Sequence, residues 1–216
     1  MTATRGNTRE EIIRKGAELI HARGYHATGI QQILQASGIP KGSFYFYFKS
    51  KEDFGREIID HFTSIISNTF TRYLNDSNMP PMRRLEKLFE YYESTFQETG
   101  CSLGCPIGNL SLELADGNDR LRKHLKTVIE TLISHIESCL EEAKRDRSIP
   151  AGLNTTDAAR SIFHGFEGAI LHMKVVKNIE PFQTFRRYLR EYLKIRKSDY
   201  GPKERREETG RHITVR

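Results

Sequence analysis

Two stretches of the chain carry residue types that could do chemistry. The first is Pro40-Lys41-Gly42-Ser43-Phe44-Tyr45-Phe46-Tyr47-Phe48. It supplies a cation at Lys41, a hydroxyl at Ser43 and phenols at Tyr45 and Tyr47, with a second cation at Lys51 just beyond. Such a set suits a polyanion. Lysines neutralise phosphate, hydroxyls bond phosphate oxygens or base edges, and Gly42 lets the backbone come close to a duplex. Phe44, Phe46 and Phe48 read as packing residues. A helical subdomain with a tyrosine-rich surface would use the same residues without nucleic acid, and on residue types alone the two readings stand level.

The second stretch is Gly100-Cys101-Ser102-Leu103-Gly104-Cys105-Pro106-Ile107-Gly108-Asn109. A Cys-x-x-x-Cys spacing raises zinc, but a structural site needs four ligands at suitable spacing. His124, His135 and Cys139 fall on separate predicted helices without it, so no metal is expected. Pro106 suits the first position of a helix, which leaves Cys105 at the N-cap, where a thiol pKa is lowered. The other use of such a cysteine is a small buried thiol that packs. Elsewhere the histidines are scattered, and none sits in a nucleophile motif. There is no phosphate-cradling loop and no dinucleotide turn. The sequence therefore predicts no enzyme and no cofactor.

The elements that must position these residues are helical. Thr28-Gly29-Ile30-Gln31 reads as a capping box, which makes Thr28 the N-cap of a helix able to meet phosphate. Ile30, Ile33 and Leu34 form its apolar face, and Ser37-Gly38 ends it. Pro40 then opens a second short helix, giving a helix-turn-helix. Three helices over 8–23, 28–37 and 40–47 follow an arm of residues 1–7, and bury Ile13, Ile20, Ile30, Ile33, Phe44 and Phe48. A long helix over 50–74, with Phe54, Ile58, Phe62, Ile65, Ile66, Phe70 and Leu74 on its apolar face, leads out of this unit. Further helical patterns run over 81–99, 106–115, 119–146, 154–177 and 181–195. The chain is predicted all-α, with about nine helices. In the fourth of these later segments Ala158, Ser161, Gly165, Gly168 and His172 form a stripe of mostly small residues. Glycine in a helix costs about 1 kcal/mol against alanine, so the stripe asks for close packing, in a homodimer seam or inside one subunit.

The 216 residues allow one large domain or two small ones. No apolar run approaches the roughly 18 residues of a membrane span, and the N-terminus lacks the apolar stretch of a signal peptide, so a cytoplasmic protein with no membrane partner is expected. The net charge is +6. Residues 1–60 hold 9 Lys/Arg against 7 Asp/Glu, whereas residues 194–216 hold 8 against 4. The basic excess thus lies in the tail, and DNA binding rests on the placement of charge rather than its total.

Thr28, the run Gly38–Phe48 and Lys51-Glu52 together resemble the DNA-binding signature of the TetR family of transcriptional regulators. The resemblance covers residues 6–66 and implies a helix-turn-helix domain there and an effector and dimerisation domain over 67–195; residues 196–216, polar and without an apolar face, read as a mobile tail. It implies a homodimeric repressor on double-stranded DNA, with Thr28, Lys41, Gly42, Ser43, Tyr45, Tyr47 and Lys51 at the interface. The stripe would then be the dimer seam, formed with 181–195. A small-molecule effector would lie among Phe89, Phe96, Leu110, Leu114, Phe163 and Phe166. The run Gly104-Cys105-x-x-Gly108-Asn109-Leu110-x-x-Glu113 is similar to the electrophile-sensing, NemR-like subgroup. That likeness implies a sensing role for Cys105, with Lys174 near it. A helical interaction module without DNA binding is the rival reading; it leaves Lys41, Tyr45 and Tyr47 unexplained.

Overall fold

The computed structural model describes the backbone of residues 5–199, and the side chains of residues 8–193 with the exception of Lys41. Among these residues there are nine α-helices, one 3-10 turn and no strand. Helix α1 spans Arg5–Arg23, α2 Ile30–Ser37, a 3-10 turn Lys41–Ser43, α3 Phe44–Tyr47 and α4 Lys51–Leu74. Then come α5 Pro81–Glu98, α6 Pro106–Leu114, α7 Asp119–Arg145, α8 Thr155–Val176 and α9 Glu180–Asp199.

The caps explain most of these boundaries. Ser50 accepts the Asp53 N–H at the start of α4, and Asn118 and Asn154 do the same for Leu121 and Asp157 in α7 and α8. Gly38 ends α2 in the left-handed region at φ 67°. Two boundaries differ from expectation. Helix α1 begins at Arg5, so residues 5–7 belong to it and Thr8 does not cap it; residues 1–4 lie outside the described residues. At the other end α9 continues through Asp199, beyond the expected start of the tail; the rest of that tail lies outside the described residues.

The first four helices close around Ile12, Ile33, Phe44, Phe48, Phe54 and Ile58, all within 1% of full burial. Gly16 is needed here, because a Cβ would meet the Phe54 ring at 2.4 Å. Helix α4, about 36 Å long at 1.5 Å per residue, carries this core outward to Phe70 and Leu74. Ile65, expected on its buried face, is 52% exposed. Helices α5, α7, α8 and α9 build the second core. Its centre is an aromatic cluster of Phe89, Tyr92, Phe96, Phe166, Phe182 and Phe185, with ring centroids 5.2–6.5 Å apart. Buried Arg84 ties its edge, donating to the carbonyls of Leu74 and Met79 and pairing with Glu142 on α7. Among the described residues no helix is long and apolar enough to cross a membrane.

Candidate nucleic-acid interface and effector cavity

Helix α3 is one turn long, and its orientation is set by aromatics four residues apart. Phe44 and Phe48 are buried at 0% and 1% exposure and pack on Phe54 of α4. The residues between them turn outward: Tyr45 is 68% exposed and Phe46 60%, with Tyr47 half-buried. Ser43 is half-buried and Gly42 open, with nothing within 4 Å of a Cβ placed there. Gly42 and Tyr45 are thus at the surface of the unit with Ser43 half-buried beside them, whereas Tyr47 lies on the other flank of α3, half-buried against the core. The side chain of Lys41 lies outside the described residues. Phe46 departs from the packing role expected for it, because an inward Phe44 and Phe48 force the residue midway between them to the far side of the helix.

Two expected interface residues are used differently. Thr28 is fully buried, and its hydroxyl donates to the Gly24 carbonyl at 2.7 Å. The N-cap of α2 is Gly29, whose N–H donates to the Gln32 side chain at 2.9 Å, so the cap lies one residue later than the Thr28–Gln31 pattern. Lys51 turns inward. Its ammonium donates to the Tyr25 carbonyl at 2.9 Å and lies 4.7 Å from that ring's centroid, while the Tyr25 hydroxyl donates back to the Lys51 carbonyl. Burial holds the Lys51 ammonium pKa below the usual lysine value. Burial likewise pushes the Tyr25 phenol up to about 12.

A cavity of about 370 Å³ lies between α6 and α8. Its wall is mostly apolar, from Ile107, Leu112, Ile129, Phe163, Ile170, Leu171 and Val175, with Cys105, Asn109, Ser111, Glu167 and Lys174 as its polar groups. Cys105, Phe163 and Lys174 line it as expected of an effector site. Phe89, Phe96 and Phe166 belong instead to the aromatic core, and Leu110 and Leu114 are buried outside the cavity wall. No motif had pointed to Glu167. The enabling signal was Gly108: a Cβ there would lie 2.4 Å from the Glu167 carboxylate, so only glycine lets that carboxylate reach the first turn of α6.

Cys105 is the N-cap of α6, and its Sγ accepts the Gly108 N–H at 3.4 Å. The expected lowering of its pKa does not follow. Burial, and then the negative charge of Glu167, push the thiol well above its ordinary value, outweighing the helix N–H groups. The thiol is therefore held neutral beside Glu167, which lines the same cavity and whose own pKa burial raises. Lys174 donates to the Asn109 side chain at 3.2 Å beside this group. Cys101 and Cys139 are buried apart from it. Among the described residues no three His, Cys, Asp or Glu side chains are grouped to hold a metal.

Helix α6 also touches the first unit at both ends. His21 of α1 lies 3.1 Å from the Gly104 carbonyl just before α6, and His26 bonds Glu113 near its C-terminus. Helix α4 is tied to α7 through Glu52 with Asn118, and Asp60 with His124.

Residues 12–58 match the family described as bacterial regulatory proteins, tetR family, and residues 81–189 match the tetracyclin repressor-like C-terminal domain. The HTH-type transcriptional repressor DhaR of Mycobacterium sp. (strain GP1) is 35% identical over 177 residues, 82% of this chain and 87% of that protein. The chain belongs to the TetR family. It is a DNA-binding transcriptional regulator and not an enzyme. Other relatives are the transcriptional regulator AcuR of Cereibacter sphaeroides, 31% identical over 82% of this chain and 81% of its own, and the HTH-type transcriptional repressor NemR of Escherichia coli, 26% identical over 84% and 91%. A solved TetR-family protein from Rhodobacter sphaeroides superposes with a TM-score of 0.80 at 30% identity, covering 86% of this chain and 98% of that one. Reduced E. coli NemR has the same fold, with a TM-score of 0.75 over 85% and 96%.

The small-residue stripe on α8 divides in this TetR-family chain. Ala158 is buried, and Gly165 faces α9 of the same subunit, where a Cβ would meet the Phe185 ring at 3.0 Å. Ser161, Gly168 and His172 are exposed. Ser161 and Gly168 sit about 60° around the helix from Ala158 and Gly165, enough to put one edge inside and the other outside.

Proposed function

We propose that this regulator is a repressor that binds a near-palindromic operator as a homodimer and releases it when a small molecule occupies the cavity between α6 and α8. Residues 6–66 would hold the operator and residues 67–195 the effector and dimer surfaces. The observation that carries the reading is the position of α6, which forms one wall of the cavity and bonds the DNA-binding unit through Gly104 and Glu113. Repression is supported by the relatives named as repressors. An effector acts only through a difference in affinity, so it must prefer the arrangement of α6 that misaligns the two DNA-binding units. The mostly apolar wall with one polar cluster fits a compact molecule with an apolar body and a single polar group.

For the dimer, the outward edge of α8 offers Ser161, Gly168, Leu171, His172 and Val175, with Leu171 54% and Val175 73% exposed. Exposed aliphatic groups along one edge suit a self-complementary contact. Leu171→Asp should convert dimer to monomer in sedimentation runs.

A second reading is covalent, favoured by Cys105 and Glu167 lining the same cavity. An α,β-unsaturated carbonyl in the cavity would add to Sγ at its β-carbon, the thiol proton passing to Glu167 and then to the α-carbon. Binding of the purified protein to duplexes from its own upstream region, followed by fluorescence anisotropy, tests the function. Specific binding that a cavity ligand relieves is expected. Relief that is lost in Cys105→Ser selects the covalent route, and relief that persists selects the non-covalent one. Binding that no occupant of the cavity alters, while Phe163→Ala and Glu167→Gln behave as wild type, would overturn the cavity as effector site.

A further inference from the structure

We infer that Phe46 reads the methyl group of a thymine in the operator. The ring is 60% exposed although the neighbouring phenylalanines are fully buried. Phe44 and Phe48 anchor α3 to Phe54, which turns Phe46 to the opposite side of the helix, as far from the core as the turn allows. Gly42, four residues before it, lies on the same outer face, and nothing stands within 4 Å of its Cβ position. A bare backbone and a projecting ring thus share the surface that can come closest to a duplex. Tyr47 packs edge-on against the Phe46 ring at 5.0 Å and limits its directions.

The chemistry of the groove then selects the partner. Base edges in the major groove offer hydrogen-bond donors and acceptors and a single apolar group, the C5-methyl of thymine. Ser43, Tyr45 and Tyr47 can serve the polar positions. Phe46 cannot, and the group its ring suits there is that methyl. The role is one of specificity: it discriminates thymine from cytosine or uracil at one position of each half-site.

The test begins with a duplex selected by the full-length protein from a randomised pool. Each thymine of a half-site is then replaced in turn by deoxyuridine, which removes only the methyl. Losing one buried methyl corresponds to about 0.8 kcal/mol, or about a fourfold loss of affinity. Wild type should show that loss at one position, and Phe46→Ala should show none there, with helicity unchanged. Phe46→Leu, which retains an apolar group, should keep a smaller loss and decides the matter if Phe46→Ala binds too weakly to measure. Wild-type binding that is indifferent to every replacement, or a Phe46 variant as sensitive as wild type at the same position, would overturn the assignment and place the ring against sugar or solvent.

Discussion

Glu113 and His26 bond each other twice: the Glu113 carboxylate accepts the His26 backbone N–H at 3.0 Å, and the His26 ring lies 3.1 Å from the Glu113 carbonyl oxygen. One partner sits near the end of the cavity helix and the other between the first two helices of the DNA-binding unit. These two bonds join the C-terminal part of α6 to the loop before α2.

Glu113→Ala should weaken this link while leaving the fold intact. The contact is exposed, so the stability cost is expected below about 1 kcal/mol. Hydrogen exchange at the His26 amide should accelerate, and release of operator by a cavity ligand should weaken. Unchanged exchange at His26 would show that the bond is not held in solution.

The two lysines should separate cleanly. Lys41→Ala is expected to weaken operator binding and to reduce the slope of log K against log salt by about 0.9, as for one lost phosphate contact. Tyr45→Ala should weaken binding too. Lys51→Ala should instead lower stability by about 1–2 kcal/mol, through its lost hydrogen bond and ring contact with Tyr25, and leave the salt slope unchanged. Denaturant titrations and binding isotherms at several salt concentrations give both quantities.

Gly165→Leu serves as a probe of the subunit core. The sequence pattern alone would make it a dimer breaker, but its side chain meets Phe185 of the same subunit. Overpacking of this kind typically costs about 1–3 kcal/mol. A lower melting temperature with dimer retained at the working concentration is the expected pattern; a stable monomer would bring Gly165 back into the seam.

Cys105 should alkylate with a midpoint above that of free cysteine, since burial and Glu167 both favour the neutral thiol. Glu167→Gln removes one of the two causes, so the midpoint should fall and the rate at neutral pH should rise. The rate of maleimide addition, read on the Cys105 peptide across pH, measures this. A midpoint that stays put in Glu167→Gln would mean that burial alone sets it.

His21 gives a pH dependence of opposite origin. Burial holds its pKa below the usual 6.5, chiefly through loss of solvent, with the Lys174 charge adding to it. The unfolded chain then binds the extra proton more readily, so stability is present above about pH 6.5 and declines as pH falls through and below that value. His61 and His135 shift the same way. Thermal unfolding should show a lower Tm at pH 5.5 than at pH 7.5, and His21→Gln should shrink the difference.

The sequence by itself determined the all-α class, the helix order and the recognition turn, because those depend on local signals. Ser50 and Asn118 cap where they stand, Gly38 must take a left-handed conformation, and Pro106 can only open a helix. It also gave Cys105 its N-cap position. What it could not give was the surroundings of that position. The thiol pKa depends on how deeply the sulfur lies and on Glu167, 62 residues away in the chain, which a long-range packing of α8 on α6 brings beside it. The same holds for Lys51, whose charge reads as phosphate-binding until Tyr25 folds beneath it. Periodicity placed Ala158, Ser161, Gly165 and Gly168 on one stripe, but a stripe has two edges, and only the packing of α9 decided which edge was already occupied. Tertiary structure alone made Phe46 an outward ring, since the sequence offers three phenylalanines of equal apolarity and the fold has room inside for two.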